Sequence, residues 1–499
     1  MIEAALSLLR LLGGLAVLCC LGSGLLATLL PEPREFRALE RLVLGFGVGV
    51  VLLTLWMLAL TWRGLPYGLG LILGPPLGLA AALFLTPRGR RNLAGDLRAL
   101  AWPRRPGLKG WDWLFAGLLA MLFLYAFLRA GLYPMWAWDS IATWGCKAKV
   151  FYLSRGLDLT CIDAHNYYPN LVPLLLSYLY YCLGQVNDHL AQGLFPLWGA
   201  LLLGLLYSLA RRQGLSRRLA LGLTAFLGLN GTVFVVHLYI AYADLPLAYF
   251  TLGATGLIYL WLTGQAPRGS LSLAAFFLAG MAWCKYEGPP LAATVILAAF
   301  LTLVWLRPPG TWRRLFSLSL PLAGLALGYL PWRLFISQQH LNVGADHIQN
   351  FYPQQLAQAC VYLASVLIQP YFFGFLWPAA LLAVIALGRR LRTSPALFLL
   401  LFLSGNLLAI LLAYAVAPTS AAEFPSYLRA SMDRLVLHLT PSAALLLGLG
   451  LKELWFQPNV KQSTKPSHLK SFILSPDKKS PPVPPGCPLS EKWVPEIAR

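Results

Sequence analysis

Thirteen stretches of this chain are apolar over about the length a helix needs to cross the roughly 30 Å hydrocarbon core of a bilayer. They run over residues 11–30, 42–62, 65–86, 111–132, 190–210, 219–236, 245–262, 271–283, 289–306, 315–336, 366–387, 395–417 and 435–455. Backbone N–H and C=O groups find no water in hydrocarbon, so only helices or a closed barrel can span it. The runs are continuous, and that selects helices. Apolar residues make up 58% of the chain and charged residues 12%, more apolar surface than a soluble core of this size uses. The expected fold is an all-α, polytopic transmembrane bundle of about 13 spans.

A formal charge of +20 would suit a nucleic-acid binder, but the placement of the cations excludes that class. Lys and Arg cluster between apolar runs: seven over residues 88–109, then Arg211, Arg212, Arg217 and Arg218, then Arg307, Arg313 and Arg314, then Arg389, Arg390 and Arg392. Counting spans puts all four clusters on one side, as the cytoplasmic bias of basic loops requires. The N-terminus is then outside and the C-terminus cytoplasmic. Residues 133–189, 237–244, 337–365 and 418–434 face outward in a multi-pass protein of the cell membrane. The first run has one Arg before it and no small-residue cleavage site, so it reads as a span and not as a removable signal.

Three parts follow from this. Residues 1–110 are accessory N-terminal helices with a basic cytoplasmic linker. Residues 111–455 are the core. Residues 456–499 lose apolar periodicity and gain Lys, Pro and Ser, including Pro481, Pro482, Pro484 and Pro485, as expected for a disordered cytoplasmic tail. The eight cysteines show no metal-ligand spacing, and most lie in apolar runs. Cys146 and Cys161 share an outer loop, where a disulfide can form in an oxidising compartment.

Polar residues that are expensive at their depth mark the places where a membrane protein does chemistry. Asp139 follows the aromatic stretch Tyr133-Pro-Met-Trp-Ala-Trp138 at the outer interface, where it would also serve as a helix N-cap. Residues 141–153 read as an amphipathic surface helix, with Lys147 and Lys149 facing phosphates or lipid headgroups. Tyr168 and Pro169 introduce a short apolar stretch, 171–183, read as a second juxtamembrane helix or a re-entrant piece. Asp244 opens a span at its outer end, where the helix dipole favours a carboxylate. Lys285 and Glu287 form an outer hairpin that a simple salt-bridged turn also explains. Arg429, Asp433 and Arg434 precede the last span against the positive-inside trend, with His438 at i+4 from Arg434. His340, Asp346 and His347 sit in a late outer loop with no ligand spacing, and incidental loop histidines are the simpler reading.

In their order these motifs resemble the GT-C superfamily of membrane glycosyltransferases, in the branch of protein mannosyltransferases and lipid A aminoarabinose transferases. Trp138-Asp139 resembles the acidic motif of the first outer loop. Residues 168–174, Tyr-Pro-Asn-Leu-Val-Pro-Leu, resemble the Pro-rich entry to the second juxtamembrane helix, and residues 184–188 resemble the turn after it. Residues 242–248 resemble the second acidic motif, residues 280–288 the lysine hairpin, and Asp433-Arg434-Leu435 a late arginine motif. The likeness covers about residues 111–455. Three extra spans precede it, and the large soluble domain expected after the last span is missing.

The resemblance implies transfer of a sugar from a polyprenyl-phosphate donor to a glycan, lipid or protein acceptor at the outer membrane face, a step in cell-envelope glycan biosynthesis. Asp139 is the candidate general base, with Asp244 the second catalytic carboxylate. Arg434, Arg429 and Lys285 are candidates for the donor phosphate, and Glu287, Lys147 and Tyr168 are further site candidates. Asp139 and Asp244 are also the two carboxylates that a divalent metal ion would share. A transporter or lipid flippase is the alternative class, for which charges near the midplane are expected.

Overall fold

The computed structural model describes residues 2–29, 36–101, 107–341 and 350–455, the side chains of 96–101 and 455 excepted. Among the described residues all regular structure is helical, and together they form one compact unit. The 456–499 tail, Asp346, His347 and Cys487 lie outside the described residues.

Among the described residues nine helices are long and apolar enough to cross a membrane: Ile2–Thr28, Ala38–Trp62, Trp111–Leu132, Asp188–Arg212, Asp244–Leu262, Gly288–Leu306, Thr311–Gln338, Ala396–Ala415 and Phe424–Leu454. Leu69–Leu85 with Pro87–Gly95 makes a tenth if that pair, bent by 90°, counts as one span. The expected thirteen therefore overcounts full-length spans. Ser270–Cys284 and Leu376–Leu387 are shorter apolar helices, as is Leu171–Leu183 in the first large loop.

Two of the expected spans are broken, and the breaks meet. Residues 219–236 divide into Arg217–Gly228 and Thr232–His237, and residues 366–387 fall across Pro353–Ile368, Pro370–Phe373 and Leu376–Leu387. Gly231 turns the first break at φ +83°, and a Cβ there would lie 2.1 Å from the Phe372 carbonyl oxygen, which requires glycine. The Phe375 N–H donates to Asn230 Oδ1 at 3.1 Å, and the Thr232 hydroxyl donates to the Tyr371 carbonyl at 2.8 Å. Side chains of the first break thus satisfy backbone groups that the second leaves unpaired, a condition under which irregular backbone survives at membrane depth. Apolar periodicity does not register such a break.

Asp244–Leu262 is the central helix, 94% buried across its span window. It packs on Ser270–Cys284 and Phe424–Trp455, and these three carry the polar residues described below. The N-terminal helices join the same core. Trp283 Nε1 donates to Thr54 Oγ1 at 3.0 Å, and the Tyr178 hydroxyl donates to the Gly14 carbonyl at 2.9 Å. Ile2–Leu29 and Ala38–Trp62 touch backbone to backbone, since a Cβ on Gly22 would lie 1.7 Å from the Gly45 carbonyl oxygen.

The two ends of the bundle differ in chemistry. At the C-terminal end of the central helix, the clustered arginines pair with scattered acids: Arg212 with Glu40 at 2.6 Å, Arg217 with Asp112 at 2.9 Å, and Arg390 with Glu453. At its N-terminal end lie Asp244 and the described parts of the segments that the charge rule placed outward.

Candidate active site

Asp244 begins the central helix with no exposed surface at all, so its charge survives only if the protein replaces water around it. Oδ1 accepts from Lys285 Nζ at 2.8 Å and lies 3.0 Å from His438 Nε2, while Oδ2 accepts from Arg434 Nη2 at 3.0 Å and Nε at 3.2 Å. Both oxygens are engaged, each by two donor atoms.

Those partners come from the two neighbouring helices. Lys285 follows the end of Ser270–Cys284 in an extended conformation and returns its side chain to Asp244. The hairpin closes tightly because residue 288 is glycine; a Cβ there would lie 1.8 Å from the Met281 carbonyl oxygen. Glu287 Oε1 is 3.1 Å from Lys285 Nζ. Burial opposes the Lys285 ammonium, but Asp244 and Glu287 more than offset it and raise its pKa. Glu287 is lowered in turn: burial would raise it, but Lys285, His438 and a backbone hydrogen bond together outweigh that. Its other oxygen, Oε2, is buried without a hydrogen-bond partner in the protein.

Arg434 and His438 project from one face of Phe424–Trp455. The sequence reading placed residues 418–434 in an outer loop; the helix instead starts at Phe424 and carries both residues on a rigid rod. Arg434 Nη2 also lies 2.6 Å from Asp139 Oδ2, and its guanidinium sits 4.4 Å from the Tyr242 ring centroid. One guanidinium therefore bridges two aspartates, the buried Asp244 and Asp139, whose side chain is 16% exposed.

Asp139 is no helix cap. It is the first residue of a wide π-helical turn, Asp139–Gly145, that runs on into Cys146–Leu153, and no side-chain cap bond forms at this start. Such turns recur at functional sites because they reposition a side chain that a regular helix would not.

Lys147 departs from expectation. It faces neither solvent nor lipid headgroups, being completely buried, and its ammonium donates to the His165 carbonyl at 2.5 Å. Burial pushes its pKa down to about 7. Lys149 is the surface member of the pair and bridges Asp188 at 2.7 Å. The apolar spacing of 141–153 was that of a helix packed on Leu171–Leu183, whose other faces are buried too.

Tyr168 belongs to an aromatic wall beside the ion cluster. Its ring stacks on His165 at 4.6 Å and on Tyr286 at 5.7 Å, Tyr167 meets Tyr286 edge-on, and Trp138 meets His165 edge-on. Burial, then the nearby Glu287 charge, raises the Tyr168 phenol well above its usual range. Burial likewise lowers the His165 imidazole, so it is neutral near pH 7.

Of the residues singled out from sequence, Asp139, Asp244, Lys285, Glu287 and Arg434 form one connected ion network, and Tyr168 adjoins it. Arg429 does not join; it is exposed, and Nη2 donates to Ser426 Oγ at 3.1 Å. His340 is exposed as well. His438 had been noticed only as an i+4 neighbour of Arg434, Tyr242 and Tyr286 lay inside motifs but were not singled out, and His165 lay in none. Cys146 and Cys161 are both free thiols.

A divalent cation does not fit the Asp139–Asp244 pair as arranged, because the space between the carboxylates holds a guanidinium and Asp244 already faces Lys285. Among the described residues no three His, Cys, Asp or Glu side chains gather in a metal-binding group.

No family model matches the chain, and no curated protein sequence matches it. Two solved structures have a similar fold, both of ArnT from Cupriavidus metallidurans. The one bound to undecaprenyl phosphate has a TM-score of 0.51 and 17% identity, covering 69% of this chain and 60% of that one. The apo state has a TM-score of 0.49 and 18% identity over the same shares. The chain thus spans about 60% of the length of the protein it matches. At this identity the likeness speaks for fold alone, and it agrees with the all-α, multi-pass membrane bundle expected from sequence.

Proposed function

We propose that this protein is a glycosyltransferase that moves a sugar from a polyprenyl-phosphate donor to an acceptor at the membrane face opposite its basic clusters. The observation that carries this reading is the Arg434 bridge: one cation shared between an accessible carboxylate and a buried one, beside an aromatic wall. The bound undecaprenyl phosphate of the ArnT structure is consistent with a prenyl-phosphate donor for this fold.

In the proposed reaction the Asp139 carboxylate takes the proton of the acceptor hydroxyl or amine as that atom bonds to the anomeric carbon. The bond from that carbon to the phosphate oxygen breaks, and polyprenyl phosphate leaves with the electron pair. Positive charge grows on the sugar and negative charge on the phosphate, so fixed cations aimed at the phosphate lower the barrier. Arg434 and Lys285 fill that role. Lys285 has three N–H groups, two accounted for by Asp244 and Glu287, leaving one for the phosphate.

Asp244 is assigned as a positioning residue and not as a base, since it is fully buried and both oxygens are engaged. It holds Arg434, Lys285 and His438 in register. An arriving phosphate competes with Asp139 for Arg434 and thereby frees Asp139 to accept a proton. Tyr168, Tyr286 and His165 supply ring faces for the sugar. Arg429, outside the network, has no phosphate role in this scheme.

The test is transfer from a panel of radiolabelled polyprenyl-phosphate sugars by purified full-length protein in lipid nanodiscs, wild type against Asp139→Asn. Loss of a general base lowers turnover by about 10²–10⁴-fold. Turnover by folded Asp139→Asn within threefold of wild type would refute the assignment of the base, and loss by Arg434→Ala with retention by Arg429→Ala is expected beside it.

A further inference from the structure

The end of the bundle farthest from Asp244 holds a cavity of about 1000 Å³ that the transfer reaction does not use. Leu447 and Leu451, which line it, lie 13 and 17 residues beyond Arg434 on one helix, about 20–25 Å along its axis. Four helices from separate parts of the chain wall it: Trp111–Leu132, Arg217–Gly228, Leu376–Leu387 and Phe424–Trp455.

The lining divides by chemistry. Phe115, Leu223, Phe226, Leu447 and Leu451 make an apolar interior, deepened where Gly222 presents no side chain; a Cβ there would meet the Phe115 ring at 3.3 Å. The mouth is basic, formed by Lys109, Arg217 and Arg218, with Lys109 and Arg218 exposed. Two helix N-termini open onto it, at Trp111 and Arg217, and add their positive dipole ends.

One acid interrupts this charge. Asp112 is 3% exposed; Oδ2 pairs with Arg217 and accepts from the Lys109 N–H, while Oδ1 is buried with no partner in the protein. A buried carboxylate oxygen without a donor is costly. The mouth therefore asks for two things from one ligand: a negative charge for the exposed cations and a hydrogen-bond donor for Asp112 Oδ1. The interior asks for hydrocarbon.

We infer that this cavity is a binding site for an anionic phospholipid of the leaflet at the basic end, with its phosphate at Lys109 and Arg218, a headgroup hydroxyl at Asp112 Oδ1, and an acyl chain between the four helices. Phosphatidylglycerol has all three parts. Phosphatidylcholine carries no net charge and no headgroup donor. The site is independent of the proposed transferase reaction, and its occupant wedges the helix that carries Arg434.

The experiment uses full-length protein purified in mild detergent. Retained phospholipid is quantified by mass spectrometry, and thermal unfolding is followed while phosphatidylglycerol or phosphatidylcholine is titrated in as mixed micelles. Wild type is expected to retain phosphatidylglycerol and to be stabilised by it at a concentration about tenfold or more below that needed of phosphatidylcholine, a preference that high salt weakens. The Lys109→Ala/Arg218→Ala variant loses the preference. Gly222→Leu, which fills the cavity, loses the retained lipid. Because Lys109 and Arg218 are exposed, that variant folds even if Gly222→Leu does not. Equal responses to the two lipids, preference for phosphatidylethanolamine, or unchanged lipid binding in the Lys109→Ala/Arg218→Ala variant would each overturn the inference.

Discussion

Replacing Asp244 by asparagine tests how the site is held together. The change keeps shape and removes one buried charge on which three partners converge: Lys285 at 2.8 Å, Arg434 at 3.0 Å and His438 at 3.0 Å. Breaking a buried ion pair by deleting one partner costs about 3–5 kcal/mol, because the other charge is stranded. Here neither cation is stranded fully. Lys285 keeps Glu287 at 3.1 Å and Arg434 keeps Asp139 at 2.6 Å, which places the cost near the lower figure, about 3 kcal/mol. Unfolding entropy of about 2.1 cal/mol/K per residue, over a chain of 499 residues, comes to roughly 1 kcal/mol/K, so Tm falls by about 3 °C. Turnover falls about 10²-fold or more, since Arg434 and Lys285 lose the anchor that aims them. Adding Lys285→Met to Asp244→Asn removes charge from both sides and recovers part of the lost Tm without recovering turnover. Thermal unfolding in nanodiscs and a donor-transfer assay read the two effects separately. An Asp244→Asn protein with wild-type Tm and wild-type turnover would refute the anchoring role, and so would a double variant whose losses simply add.

The remaining predictions concern other parts of the molecule. Lys147 has a folded pKa of about 7 against an unfolded value of about 10.4, so the unfolded chain binds more protons between those values and stability rises with pH across that window. Lys147→Met abolishes this slope, raising Tm at pH 6 and gaining less or losing at pH 9, where the neutral amine still bonds the His165 carbonyl; unfolding scans at the two pH values decide it. Glu40→Ala removes the bidentate partner of Arg212, at 2.7 and 2.6 Å, and destabilises by about 3 kcal/mol, with transfer activity kept at temperatures below unfolding. Gly231→Val closes the space against Phe372 and forces a β-branched residue to positive φ, so its Tm falls by several degrees, whereas Gly405→Val, with no neighbour near its Cβ, leaves Tm within about 1 °C.

The sequence by itself determined the solvent of this protein, its helical class and the end of the bundle at which its acids gather. Apolar length sets helix in lipid, and clustered arginines mark one end of the bundle, because both act through local composition. The motifs also singled out Asp139, Asp244, Lys285 and Arg434, residues expensive enough at their depth to need a reason. Which of them touch was not legible, because Asp244 and Arg434 lie 190 positions apart and meet only when the central and last helices pack. The same packing excluded Arg429, five residues before Arg434, by turning it to the surface. It buried Lys147, whose helical spacing looks the same whether the helix lies on a membrane or inside a protein. It also broke two spans at Asn230 and Gln369, where Asn230 and Thr232 satisfy backbone groups of the second break. Composition decides where a residue can afford to be; only the tertiary structure decides which partner makes its charge bearable there.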